Sequence, residues 1–112
     1  MDVEFGSRKL HRACNSERES NRKWGDQNGK KIRQRLAELA AAESLADIGM
    51  HPGARLHQLK GDREGQFAVD VKQPFRLVFE PAQDPVPLKD DGGIDLEKIT
   101  RIRVVYIGDY HG

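Results

Sequence analysis

Two short segments of the chain carry side chains suited to acid–base chemistry. The first, Leu56–Gly65, places His57, Lys60 and Arg63 around a glycine-rich turn. The second, Asp109–His111, holds a carboxylate, a phenol and an imidazole on three consecutive residues. Strand-like runs lie between the segments and could bring both onto one sheet. Imidazoles beside fixed cations are the groups that cleavage of RNA through its own 2′-hydroxyl requires.

Such cleavage, without a metal ion, needs two groups that exchange protons near neutral pH. One takes the proton of the 2′-hydroxyl and the other protonates the departing 5′-oxygen. Imidazoles suit both roles because their unperturbed pKa is about 6.5. Cations must also balance the charge that develops on the phosphoryl oxygens. The candidate imidazoles are His57 and His111, and the candidate phosphate-binding cations are Lys60, Arg63 and Arg76.

Each of these residues also has a purely structural interpretation. His57 would then be a partly exposed strand histidine, and Arg63 would belong to an ordinary hairpin loop. Asp109–His111 would be a frayed chain end, although these residues directly continue the most apolar strand, which should hold them. Tyr110 would pack on the sheet edge. Arg76 has the stronger case for a role in binding, because alternation places it on the polar face of its strand.

No metal or cofactor site is predicted. The four histidines form no i, i+4 pair, no Cys/His cluster occurs, and Gly61–Gly65 lacks the spacing of a GxxxxGK phosphate loop. Cys14 is the single cysteine, so an internal disulfide is excluded and a reducing, cytoplasmic compartment is expected. With no evident base partner, Cys14 is predicted to be an inert packing residue. We expect neither a membrane span nor a signal peptide, since no apolar run reaches ~18–20 residues.

Charge is unevenly distributed, although the net charge is only +1. Residues 1–60 carry 12 Lys and Arg against 8 Asp and Glu, whereas residues 61–112 carry 7 against 10. Most of this charge deficit arises in residues 84–97, where five carboxylates face only Lys89. We call the surrounding segment, Pro81–Lys98, the acidic excursion. A basic body with an acidic excursion permits nucleic-acid binding without requiring it.

The first half of the chain predicts a short strand, Met1–Phe5, followed by two helices. Ser7 is a suitable N-cap for the first helix, whose composition extends over residues 8–24. The second helix runs from Asp26 to about Glu43. It should pack one apolar stripe on the sheet and expose a basic face. The stripe is Ile32, Leu36 and Leu39, and the basic face is Lys30, Lys31, Arg33, Gln34 and Arg35.

Period-two alternation in the second half predicts four consecutive strands. They are Arg55–Lys60, Gln66–Lys72, Phe75–Glu80 and Arg101–Ile107. The last strand is apolar on both faces, which is typical of a central strand covered above and below. The predicted fold is α+β: one domain of 112 residues, with two N-terminal helices on one face of a mainly antiparallel four- to five-stranded sheet. The other face is left open for polar side chains such as His57, Arg76 and Asp109.

Three motifs in this order resemble the HigB-type killer toxins of the RelE/ParE superfamily. They are Leu56-His-x-Leu-Lys-Gly-Asp-Arg-x-Gly65, Phe75-Arg-Leu-Val-Phe79 and Asp109-Tyr-His111. The resemblance covers about residues 30–112. It implies a RelE-like fold and a small toxin that cleaves messenger RNA on the ribosome, held in check by a cognate helix-turn-helix antitoxin.

The resemblance also implies roles for individual residues. His57, Asp109, Tyr110 and His111 would line the cleavage site, and Lys60 and Arg76 would hold the RNA backbone. The chain departs from the pattern at Phe67, where many relatives have a larger aromatic with a polar group. It also departs in its long helices, in its acidic excursion and in a terminal Gly112. Because the excursion would repel RNA, we expect it to lie away from the open face and to contact the antitoxin or the ribosome.

Two functions remain open at this point. The preferred one is a ribosome-dependent messenger-RNA endonuclease that needs no metal or other cofactor. The alternative is a non-catalytic binding module of the same fold, which inhibits a target such as a topoisomerase or only binds its antitoxin. The pair His57 and His111 favours the nuclease, because a topoisomerase poison would not need both.

Overall fold

The computed structural model describes residues 1–109. Five strands and four helices alternate with short turns over this range. The strands are β1 (Asp2–Phe5), β2 (His57–Gln58), β3 (Phe67–Asp70), β4 (Arg76–Pro81) and β5 (Arg101–Gly108). The helices are α1 (Arg8–Cys14), α2 (Glu17–Trp24), α3 (Asp26–Ala41) and the single turn α4 (Leu45–Ile48). Short 3-10 turns span Gly61–Arg63 and Leu96–Lys98.

The strands form one sheet in the order β1-β5-β4-β3-β2. Strands β2 to β5 are an antiparallel meander, whereas β1 pairs in parallel with β5. The predicted α+β class and the mainly antiparallel sheet are therefore confirmed. The prediction for Arg55–Lys60 was too long, because only His57 and Gln58 pair with β3.

The helical segment contains one more break than predicted. Residues 8–24 form two helices, because Ser16 begins a new one by accepting a hydrogen bond from the backbone N–H of Glu19. Ser7 caps α1 in the same way, as predicted, through the N–H of Leu10. Helices α2 and α3 approach closely at Gly29, where an added Cβ would lie 2.2 Å from the Asn21 side-chain oxygen.

One hydrophobic core lies between the helices and the sheet. Ile32 and Leu39 are fully buried against it and Leu36 is partly buried, which confirms the predicted stripe. The strands contribute Phe67, Val69, Leu77, Phe79, Ile102 and Val104 from one face of the sheet. Cys14 is only 4% exposed, and its burial raises the thiol pKa to about 12, against a smaller lowering effect of the Lys23 charge. Its thiol is therefore a packing group, in agreement with the sequence.

The prediction that Arg35 belongs to a solvated basic face was wrong. Its side chain is 7% exposed, and its guanidinium donates to the backbone carbonyls of Asp70 at 2.8 Å and Gly53 at 2.7 Å. A third contact, at 2.9 Å, is to the carboxylate of Glu38. The buried carbonyl of Asp70 requires a donor away from water, and the guanidinium of Arg35 supplies it.

Strand β5 lies inside the sheet, between β1 and β4, as predicted, but its apolar cover is smaller on one side than on the other. A β-bulge opposite Val78 and Phe79 adds Val105 to the strand between Val104 and Tyr106. On the side away from the helices the apolar cover is small. It consists of Leu59, Ala68 and Val78, with Val105 and Tyr106 partly buried beside them. The open face that the sequence predicted is therefore present.

The acidic excursion packs on the helix side of the sheet. Val86, Ile94 and Leu96 lie against the main core, and the N–H of Leu45 in α4 donates to the carbonyl of Ile99 just beyond the excursion. These contacts agree with the expectation that the excursion avoids the open face. Within residues 1–109, none of the helices combines the length and apolar character needed to cross a membrane.

Candidate active site

Strand register defines which side chains share the open face. Residues that are directly opposite in neighbouring strands point to the same side of a sheet. His57 pairs with Ala68, Ala68 with Val78, and Val78 with Tyr106. A parallel row two residues further along contains Asp70, Arg76 and Gly108. The open face therefore carries an imidazole, a phenol, a guanidinium and a carboxylate.

His57 is half-buried and its ring is oriented by the backbone. Nδ1 lies 2.7 Å from the carbonyl oxygen of Arg55. A carbonyl oxygen only accepts hydrogen bonds, so Nδ1 must be the donor and carry the proton. In the neutral ring, Nε2 is then the nitrogen with the lone pair, and it is the atom that can take up or release a proton.

Arg76 lies beside a buried carboxylate. Its Nε is 3.4 Å from Oδ1 of Asp70, and the other oxygen of Asp70 is 3.3 Å from Nε of Arg55. Gln73 donates to the same oxygen at 2.9 Å. Asp70 is only 5% exposed, so two arginines and an amide surround a carboxylate that has little contact with water.

Arg63 lies over the ring of Tyr106, with its guanidinium carbon 4.9 Å from the ring centroid. It also donates to the side-chain oxygen of Gln66 at 3.0 Å. Gln66 donates in turn to Glu80, whose second oxygen accepts from Arg103 at 2.8 Å. The turn that carries Arg63 is thereby held against strands β4 and β5.

The remaining predicted residues lie at the margins of this face. Lys60 is exposed at the start of the Gly61–Arg63 turn. Asp109 is exposed and directly follows Gly108, the register partner of Arg76. Tyr110 and His111 lie outside the described residues. Of the predicted set, the fold thus places His57, Arg63 and Arg76 on one face, with Lys60 and Asp109 adjacent in sequence to members of that face.

Four residues of this face were missed by the sequence analysis. Arg55 and Asp70 contact predicted residues directly, and Tyr106 supports Arg63. Gly108 leaves room for Tyr106, because a Cβ at this position would lie 2.6 Å from the Tyr106 hydroxyl. Asp70 lies in a strand whose alternation separates polar from apolar side chains, but alternation carries no information on the burial of an individual charge. Tyr106 was not identified because it lies in the apolar run of β5, where the bulge at Val105 interrupts the alternation of side chains.

No side-chain cluster suited to a metal ion occurs in the described part of the chain, where no three His, Cys, Asp or Glu residues come together. The groups available for chemistry on the open face are therefore an imidazole, carboxylates, guanidiniums and a phenol. These groups can transfer protons and neutralise a phosphate.

The fold resembles those of solved bacterial toxins. A YoeB/ParE toxin from Agrobacterium tumefaciens superposes with a TM-score of 0.57 over 99% of this chain and 100% of that chain, at 13% identity. A YoeB-YefM complex from Staphylococcus aureus contains a chain that superposes with a TM-score of 0.55, also at 13% identity, over 100% of this chain and 98% of that chain. The chain thus has the fold of YoeB- and ParE-type toxins. A search of curated proteins gives no match.

The family follows from the sequence. Residues 4–87 match the model of the HigB-like toxins, described as RelE-like toxins of the type II toxin-antitoxin system HigB. The chain therefore belongs to the HigB-like toxin family, and the resemblance seen in its motifs is confirmed. The matched region contains His57, Lys60, Arg63 and Arg76, whereas Asp109, Tyr110 and His111 follow it.

Proposed function

We propose that this toxin is a ribosome-dependent endoribonuclease that cleaves messenger RNA by acid–base catalysis through the 2′-hydroxyl, without a metal ion. The observation that carries the proposal is the shared open face of His57, Arg63 and Arg76. An imidazole with a defined reactive nitrogen lies there with two guanidiniums, and Asp109 directly follows Gly108, the register partner of Arg76.

In the proposed reaction the 2′-oxygen attacks the adjacent phosphorus and gives its proton to a base. The bond from phosphorus to the 5′-oxygen breaks, and that oxygen receives a proton from an acid. His57, through Nε2, serves one of these steps, and Asp109 with His111 serves the other. The products carry a 2′,3′-cyclic phosphate and a 5′-hydroxyl, and every transferred proton is accounted for.

The cations stabilise the charge of the phosphorane-like transition state. Arg76 and Lys60 are assigned this role, and Arg63 is assigned to the RNA backbone with less influence on the rate. Tyr110 completes the proposed site. An oxyanion-stabilising donor contributes about 10²–10³-fold to a rate, which is comparable to the contribution of positioned acid–base groups.

The proposed partners are the ribosome with its messenger RNA, in the cytoplasm, and a cognate helix-turn-helix antitoxin. A neutralising partner is supported by membership of a toxin-antitoxin family. The S. aureus structure is likewise a complex of YoeB with YefM. We assign the acidic excursion to contact with the antitoxin or the ribosome, because it packs on the helix side, away from the proposed cleavage face.

The first test compares two histidine variants on purified ribosomes programmed with messenger RNA. His57→Ala should slow single-turnover cleavage by at least about a hundredfold, because a proton-transfer group contributes roughly 10²–10⁴-fold, while ribosome binding is retained. His51→Ala is the matched control, since His51 is exposed on the loop after α4. The 5′-fragment should end in a 2′,3′-cyclic phosphate, and EDTA should not inhibit when ribosome integrity is maintained. Equal rates for both variants would contradict the mechanism.

One observation favours the non-catalytic alternative. Arg76 is paired with Asp70 and Arg63 rests on Tyr106, so part of their binding capacity is used within the protein. If growth arrest persists in both His57→Ala and His111→Ala, and no RNA fragment appears, the toxin acts by binding a target.

A further inference from the structure

Arg55 has an unusual backbone conformation next to the proposed site. Its φ is +48°, and it is the one non-glycine residue with a positive φ in the described range 1–109. This left-handed region is rarely adopted by residues with a side chain. The carbonyl of Arg55 is the group that accepts from Nδ1 of His57. The unusual conformation therefore coincides with the orientation of the imidazole.

The side chain of Arg55 leads to the second unusual group, the buried carboxylate of Asp70. Asp70 contacts Nε of Arg55 with one oxygen and Nε of Arg76 with the other. The backbone of Asp70 also makes two hydrogen bonds. Its N–H donates to the carbonyl oxygen of Ala54 at 2.7 Å, and its carbonyl oxygen accepts from the buried Arg35. The backbone of Asp70 is thus held by hydrogen bonds, and its carboxylate lies between the two arginines.

We propose that Arg55 and Asp70 are positioning residues for the reactive groups of this face. The Arg55 carbonyl selects the His57 tautomer that has its proton on Nδ1 and its lone pair on Nε2. The Asp70 carboxylate lies at ion-pair distance from both guanidiniums, 3.4 Å from Nε of Arg76 and 3.3 Å from Nε of Arg55. Its charge attracts both, so it positions the Arg76 guanidinium relative to the segment that carries the imidazole. The effect on cleavage rests on the proposed nuclease function, whereas the effect on the tautomer does not.

Proton transfer by His57 and charge stabilisation by Arg76 both require that the side chain is placed accurately against the RNA. A free neutral imidazole exchanges between two tautomers, and only one of them presents an unprotonated Nε2. A guanidinium with several rotatable bonds loses its orientation when its carboxylate partner is removed. A displacement of about 1 Å can cost up to about a hundredfold in rate.

The tautomer is tested by nitrogen NMR of the imidazole rings in the full-length protein. Spectra are recorded about two pH units above the ordinary imidazole pKa of about 6.5, and His57 is assigned by its loss in His57→Gln. The wild type should show His57 with its proton on Nδ1. Arg55→Gly removes the guanidinium but accepts a positive φ, so the tautomer should persist. Arg55→Val disfavours a positive φ, so the ring should become a mixture of tautomers. A wild-type ring with its proton on Nε2 would refute the proposal.

The carboxylate is tested by cleavage on ribosomes. Asp70→Asn keeps the shape of the side chain but removes its charge, and it should lower the single-turnover rate about 10- to 100-fold without changing ribosome affinity. Asp26→Asn, at an exposed carboxylate on α3, should keep the full rate. Circular dichroism at the assay temperature identifies the folded fraction, and rates are normalised to it.

Cleavage by the wild-type protein separates the nuclease activity from the positioning role of Arg55 and Asp70. If wild-type protein does not cleave RNA, the proposed function is wrong. The tautomer measurement alone then tests whether the Arg55 carbonyl orients His57. If wild-type protein cleaves and both Asp70→Asn and Arg55→Val retain its rate, the positioning role is wrong and the nuclease assignment stands.

Discussion

A residue larger than glycine at position 108 would displace Tyr106, because the Tyr106 ring occupies the space where a Cβ would lie. The hypothetical Cβ would be 2.6 Å from the Tyr106 hydroxyl oxygen and 2.9 Å from its ring carbon. Tyr106 would have to move, and with it the support for Arg63. A single added methyl group at this position therefore reaches the proposed RNA-binding face.

We expect Gly108→Ala to reduce the free energy of unfolding by about 1–3 kcal/mol, the usual cost of overpacking. Gly6→Ala is the matched control, because its Cβ would meet neighbours only at 3.4 Å or beyond. Urea titrations of the two variants provide the comparison. A Gly108→Ala protein as stable as the control would mean that Tyr106 relocates without cost.

Cys14 has a consequence for alkaline stability. Its thiol pKa is raised by burial from 9.0 to about 12 in the folded protein. Above pH 9 the unfolded chain ionises and the folded chain does not, so stability should fall as the pH rises from 9 towards 12. Cys14→Ala should lack this component of the alkaline decline. Native protein should also react slowly with a thiol reagent at pH 8 and rapidly in denaturant, and rapid native labelling would contradict the burial argument.

For single residues, the sequence shows which side chains could take part in a reaction more readily than it shows where the fold places them. His57, Arg63 and Arg76 were predicted because alternation and the turn place them on the polar side. Arg55 and Asp70 were not, since a positive φ and a buried charge arise from contacts between distant segments. The backbone carbonyl of Asp70 accepts a hydrogen bond from Arg35, 35 positions earlier in the chain, and no local pattern encodes such a contact.

Helix α3 is attached to the sheet by polar contacts as well as by its apolar stripe. Arg35 reaches across the helix–sheet interface to two backbone carbonyls. Its replacement leaves the buried carbonyl of Asp70 without this donor, which costs about 1–3 kcal/mol, and it also removes the partly buried contact with Gly53. Arg35→Met should therefore lower the free energy of unfolding by several times as much as Lys30→Met, which changes an exposed residue of the same helix. Chemical denaturation compares the two, and equal stabilities would contradict this role.

Strand β5 shows why an apolar run is ambiguous in a sequence. Val104, Val105, Tyr106 and Ile107 read as a strand covered on both sides, which is typical of a buried central strand. The apolar run in β5 instead results from the bulge at Val105, which shifts the alternation of side chains by one residue. Residues before it and after it can then both place apolar groups in the core. Bulges depend on pairing with the partner strand, so the sequence of β5 alone did not reveal this one.

On the scale of the whole molecule, the main hydrophobic core and the proposed reactive residues lie on opposite sides of the sheet. The main core fills the helix side, whereas the open side has a small apolar patch and the polar groups of the proposed site. The fold class was predictable because helix and strand periodicities are local. The parallel pairing of β1 with β5 was not, since it joins segments about a hundred residues apart.

That pairing imposes an order on folding during synthesis. Asp2 pairs with Arg101 and Phe5 with Val104, so β1 has no strand partner until β5, about a hundred residues later, has been made. Helices α1 to α3 make local contacts and can form early, whereas distant pairings carry a loop-closure cost and form slowly. Synthesis runs from the N-terminus, and β5 is also the strand that brings Tyr106 and Gly108 to the open face. The part of the open face that carries Tyr106 and Gly108 is therefore absent from a nascent chain until β5 has been made and has paired with β4.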